Sequence, residues 1–208
     1  MARARVIGTG RSADVYEAGE GWVLRRYRDG TDAAREARIM RALAAHGFPV
    51  PRVARAEGPD LVMERLTGPT LLEAAMTGTT TPEAAGALLA DLLVRLHATP
   101  WIHLDLHPDN VMLTPAGPVV IDWLTAREGP PGLDRAMSAL LLAEAALSPA
   151  PYALGARAAL ASLLAHLTSP VTPHLPEATT LRASNPHLSE AERAGVGAAG
   201  ELVSSLAG

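Results

Sequence analysis

The sequence predicts an α+β protein: a small antiparallel β lobe carrying one helix, then a larger helical lobe. Three observations lead there. Residues 1–66 alternate short apolar or β-branched runs with glycine turns, and a single helical period interrupts them. Beyond residue 66, apolar residues recur at helical spacing and proline clusters separate the runs. One short hairpin pattern sits inside the helical half, around "TPAG". The lobes are therefore read as 1–66 and 67–208, with the joint near "MERLTG".

The elements follow in order. Residues 4–18 read as strand, glycine turn and strand. "GEG" then makes a tight turn, because Gly19 and Gly21 can take positive φ. "WVLRRYR" is a third strand whose alternation puts Val23, Arg25 and Tyr27 on one face. "TDAAREARIMRALAAHG" is a helix capped by Thr31 or Asp32 and stopped by Gly47, with Glu36, Met40 and Leu43 on one face. "PRVARAEGPDLVMERL" gives two more strands about Gly58–Pro59. "GPTLLEAAM" is a short helix. The next, from residue 80 to 98, has Pro82 near its start and a predicted buried stripe of Leu88, Leu89, Leu92, Leu93 and Leu96. "VML" and "PVVIDW" form the hairpin, and helices broken at 148–151 and 170–176 complete the chain.

Composition excludes several classes. The chain has 208 residues, 48% hydrophobic and 19% charged, which is the balance of a globular protein. A net charge of −4 with no basic run argues against a nucleic-acid partner. No apolar stretch reaches the roughly 20 residues of a membrane span, and no apolar run follows the charged N-terminus as a secretory signal would require. Cysteine is absent, so thiolate metal sites are excluded and a cytoplasmic location is expected. All 18 basic residues are arginine.

"WIHLDLHPDNVML" puts two histidines, two aspartates and an asparagine between His103 and Asn110. Three readings compete. His103, Asp105 and His107 alternate at period two and could begin a divalent-metal cage. His, Asp, Asn and Pro are also ordinary turn residues. Finally, His-x-Asp followed five residues later by Asn is the spacing of a phosphoryl-transfer loop, and Asp122, 17 residues beyond Asp105, ends a strand where such sites keep a second metal-binding acid.

Taken with its surroundings, the chain resembles the aminoglycoside phosphotransferase-like branch of the protein-kinase-like fold, from about residue 5 to residue 145. His-x-Asp-x-His-x-x-Asn and "IDW" carry the resemblance. It implies a two-lobed kinase-like fold and an ATP-dependent transfer of the γ-phosphate to a hydroxyl of a small molecule, with Mg²⁺ as cofactor. By resemblance, Asp105 orients and accepts the proton of the acceptor hydroxyl, while Asn110 and Asp122 hold Mg²⁺. "GTGRSADVYE" resembles the nucleotide-covering loop through Gly8, Gly10 and Val15, with Ala13 where a third glycine is common. Arg25 stands where the family has its phosphate-binding lysine, and Glu36 where that lysine has its ion-pair partner. "LVMERL" resembles the hinge, with Met63 at the back of the adenine pocket and the Glu64 carbonyl and Leu66 amide at the adenine edge. Asp134 resembles a brace for the catalytic loop, or is a helix N-cap.

Two departures matter. Arginine for lysine at position 25 is not a conservative exchange at a tight site. The region after Asp122 has only 86 residues, with seven acids against five arginines, which argues against a polycationic aminoglycoside acceptor. A catalytically weak, kinase-like nucleotide-binding or regulatory module is the alternative function.

Overall fold

The computed structural model describes residues 5–10 and 12–208. Ala4, which begins the first strand pattern, and Arg11, in its glycine turn, lie outside the described residues. The chain divides into two compact units, Met1–Gly68 with Met112–Leu124, and Pro69–Val111 with Thr125–Gly208.

The first unit is built on an antiparallel five-stranded sheet. Its strands are β1 (Val6–Thr9), β2 (Ala13–Glu17), β3 (Trp22–Tyr27), β4 (Val53–Glu57) and β5 (Asp60–Glu64), in the order β1-β2-β3-β5-β4. Helix α1 (Ala34–Ala45) is inserted after β3. Period-two alternation holds on β3, where Val23, Arg25 and Tyr27 are buried and Arg26 is exposed. On α1, Glu36, Met40 and Leu43 are buried together. The helix begins later than Thr31 because residues 29–33 make their own turn: Asp29 Oδ1 accepts the Thr31 amide, and Asp32 Oδ1 accepts the Ala34 amide. Gly47, at φ +74°, ends it. The hairpin of β7 (Val111–Thr114) and β8 (Gly117–Val120) follows much later in the chain, with its residues from Met112 onward in this unit. Val120 N–H donates to Pro49 O at 2.9 Å, and the Trp123 ring meets Phe48 edge to face at 5.7 Å. Gly68, at φ +126°, lies so close to this hairpin that a Cβ would fall 2.0 Å from Leu113 O.

The second unit is helical. Helix α2 (Leu71–Met76) opens with a capping box between Thr70 and Glu73. Helix α3 (Pro82–Leu96) starts on Thr81 as N-cap and buries Leu89, Leu92, Leu93 and Leu96; Leu88 falls at the edge of the stripe and is half-buried. Helix α4 (Pro131–Leu147) has eleven buried residues of its seventeen, so it is a core helix and not a surface one. It packs on α5 (Ala153–His166), α6 (Leu175–Ala183) and α7 (Glu190–Ala207). Helices α3 and α5 approach closely at Gly86, where a Cβ would stand 2.2 Å from Ala159 O. Two features are not anticipated from the sequence pattern. One is a two-residue pairing of β6 (Trp101–Ile102) with β9 (Arg127–Glu128). The other is the break before α7, made by the Ser189–Glu192 capping box.

Candidate functional site

In the first unit the polar centre is Arg25. Strand alternation turns its side chain inward, yet the guanidinium is not stranded there. Its Nη1 donates to Glu36 Oε1 at 3.1 Å and its Nη2 to Asp122 Oδ1 at 2.8 Å. Arg25 and Glu36 are 8% and 3% exposed, which a solvated strand face and a solvated helix face would not give. Burial by itself would lower the Arg25 pKa; the charges of Asp122 and Glu36 outweigh it and hold the guanidinium above the usual arginine value. Glu36 is held in turn. Its Oε1 also accepts the Trp123 amide at 3.1 Å, and its Oε2 accepts the Tyr27 hydroxyl. Asp122 has φ +63°, a conformation unfavourable for a residue with a Cβ, and its side chain is about one-third exposed (38%).

The nucleotide-loop residues lie on the β1–β2 hairpin. Gly8 pairs with Val15, and Gly10 N–H donates to Ala13 O at 2.8 Å. Folding does not demand glycine at either place: a Cβ on Gly8 would meet Val15 Cβ at 3.8 Å, and one on Gly10 would meet Ala13 O at 3.4 Å. Met63 and Glu64 end β5, and Glu64 pairs with Arg52 at 3.2 Å. Leu66 follows β5, and its amide donates to no group among the described residues.

In the second unit, residues 103–110 form a loop closed by its own side chains. His103 is fully buried, and its Nδ1 accepts the Asp105 amide at 3.2 Å. Asn110 Nδ2 donates to Asp105 O at 2.9 Å and to Asp105 Oδ2 at 3.2 Å. His107 Nδ1 accepts the Asp109 amide, and its Nε2 stands 3.2 Å from Asn110 Nδ2 and 3.9 Å from Asp105 Oδ2. Loop-internal bonds thus occupy the Nδ1 atoms of His103 and His107. Among the described residues no group of three or more His, Asp or Glu side chains is arranged to hold a metal. Leu104 has φ +64°, strained for a leucine. Asp134 fixes it there: this carboxylate is fully buried and accepts the amides of His103 at 3.0 Å and Leu104 at 2.7 Å, and His97 Nε2–H at 2.9 Å. Asp134 is no N-cap, since α4 begins at Pro131. Burial pushes its pKa up, but the His97 bond and charge and the His103 amide outweigh burial and leave it below the usual aspartate value.

The two halves therefore gather Arg25, Glu36 and Asp122 in one unit, and Asp105 and Asn110 in the other. Tyr27, the Trp123 amide and His97 are partners that residue patterns did not single out. Only Tyr27 had a signal, its shared strand face with Arg25.

The family profile described as "Phosphotransferase enzyme family" (APH) matches residues 3–100 and 101–200. Among solved structures, an ADP-bound aminoglycoside phosphotransferase, APH(2'')-Ib, aligns with a TM-score of 0.61 at 12% identity, covering 99% of this chain and 94% of that one. The streptomycin–ATP–APH(2'')-IIa ternary complex aligns with a TM-score of 0.56 at 13% identity, covering 87% and 84%. At such identities the likeness shows the fold, which is the kinase-like one: an antiparallel sheet with one helix, then a helical region. A search of curated protein sequences finds no match.

Proposed function

Because the chain belongs to the phosphotransferase enzyme family, we propose that it moves the γ-phosphate of ATP onto a hydroxyl of a small molecule. The observation that carries this is the buried Arg25 fork on Glu36 and Asp122. A buried cation held by two carboxylates needs a reason beyond stability, since such groups seldom improve it over an apolar core.

In this reading residues 1–66 form the nucleotide-binding lobe and residues 67–208 carry the catalytic loop. Arg25 contacts the α- and β-phosphates and Glu36 keeps it in place. Gly8 and Gly10, which folding does not require, leave room for phosphate to approach the backbone, and Val15 covers the base. Met63 backs the adenine, and the Glu64 carbonyl and the uncommitted Leu66 amide read its edge. Asn110 and Asp122 would hold Mg²⁺. Each taken by itself has an oxygen suited to a hard cation: Asn110 spends its NH₂ on Asp105, which leaves Oδ1 uncommitted, and Asp122, whose Oδ1 accepts Arg25, is a partly exposed carboxylate. The bound ion neutralises phosphate charge. Asp105 accepts the proton of the acceptor hydroxyl as its oxygen bonds to the γ-phosphorus, and the bond to the β–γ bridging oxygen breaks to release ADP.

A catalytically weak nucleotide-binding or regulatory module is the second reading, favoured by arginine at position 25. An ATP-consumption screen over pooled small-molecule alcohols separates the two. The enzyme reading expects acceptor-dependent ADP release that Asp105→Asn abolishes. Nucleotide binding without turnover on any acceptor supports the module.

A further inference from the structure

Tyr27 lies two residues past Arg25 on β3, is 2% exposed, and takes no part in the chemistry above. Its environment is specific. Its hydroxyl donates to Glu36 Oε2, the carboxylate oxygen that Arg25 does not use. Its ring lies under the guanidinium, 5.0 Å from the Arg25 carbon to the ring centroid. One side chain thus fixes both the acceptor of the Arg25 fork and its plane.

That arrangement suits arginine and not lysine. A guanidinium is flat, can stack on an aromatic face, and presents donors in a rigid fork; an ammonium is a point charge on a flexible stem. Here the fork spans two carboxylates, Glu36 at 3.1 Å and Asp122 at 2.8 Å. Spanning both requires Glu36 to be held in rotation, and the Tyr27 hydroxyl and the Trp123 amide hold its two oxygens.

We infer that Tyr27 is a positioning residue for Arg25, and that this pocket is fitted to a guanidinium, so that arginine here is not an interchangeable replacement for lysine. The inference rests on the reading of Arg25 as the phosphate contact.

The test is calorimetric binding of ATP and of adenosine to the full chain and four variants. Arg25→Ala is the control for the underlying reading: it should weaken ATP and leave adenosine unchanged. Arg25→Lys should weaken ATP about tenfold or more and spare adenosine. Tyr27→Phe, which keeps the ring but loses the hydroxyl, should weaken ATP about tenfold in the Arg25 background. In the Arg25→Lys background it should change ATP affinity less than about twofold, because the fork it serves is gone. Wild-type ATP affinity in Arg25→Lys overturns the inference, and that variant decides alone if Tyr27→Phe fails to fold. Equal effects of Tyr27→Phe in both backgrounds, or on ATP and adenosine alike, also overturn it by giving Tyr27 a structural role only. If Arg25→Ala itself weakens both ligands equally, the phosphate role falls, and the inference with it.

Discussion

Replacing Asp134 with Ala separates a loop brace from a helix cap by size of effect. Asp134 is fully buried and accepts three donors: the amides of His103 and Leu104 and the His97 Nε2–H. Stranding a buried donor costs about 1–3 kcal/mol. Three such donors, partly offset because a buried carboxylate no longer has to be desolvated, give a loss of about 3–5 kcal/mol. A lost N-cap costs only about 1 kcal/mol. The variant should also release Leu104 from its strained φ of +64°, which shifts the loop ahead of Asp105. Urea denaturation read from midpoint and slope gives the stability loss, and turnover gives the loop effect. The pH dependence follows from the lowered pKa of Asp134. A group whose folded pKa is depressed contributes stability that is fully present above its unfolded value, near 4, and lost as pH falls through the folded one. The gap between wild type and Asp134→Ala should therefore narrow below about pH 4. A loss of about 1 kcal/mol or less, with unchanged turnover, would refute the brace.

Two further variants have definite outcomes. Asp105→Asn should cut turnover by about 10²–10⁴ while ATP affinity stays within about twofold, because the carboxylate serves the acceptor and not the nucleotide; steady-state kinetics with calorimetry checks both, and retained turnover would remove the catalytic role. Gly86→Ala should destabilise by about 2–3 kcal/mol although alanine is the better helix former by about 1 kcal/mol, since its Cβ would sit 2.2 Å from the Ala159 carbonyl; thermal denaturation reads the sign, and a stabilised variant would mean α3 and α5 are not held that close.

Much of the arrangement was legible in the chain. Arg25 and Tyr27 share a face because strands repeat every two residues, and Glu36 is buried because helical spacing aligns it with Met40 and Leu43. What stayed hidden is long-range or backbone-mediated. Asp122 bonds Arg25 across 97 positions, which no local pattern encodes. Asp134 works through two amides, and amides look alike in every sequence. His97 ends a helix like any other polar residue, and only the tertiary fold brings it to Asp134. Strand propensity identified the residue 111–120 hairpin, but nothing local assigns 112–124 to the first unit. The break before α7 is a different case: Asn185–Pro186 and the Ser189–Glu192 capping box signal it locally, and apolar period read alone passes over them.

Asp122 is proposed to hold the metal with which the chain binds the phosphates of ATP. Calorimetry of ATP with and without Mg²⁺, on wild type and on Asp122→Ala, tests it most directly. Mg²⁺ should tighten ATP binding to the wild type and have no such effect on the variant. ATP affinity that is independent of Mg²⁺ in the wild type, or a Mg²⁺ effect that survives in Asp122→Ala, would contradict it.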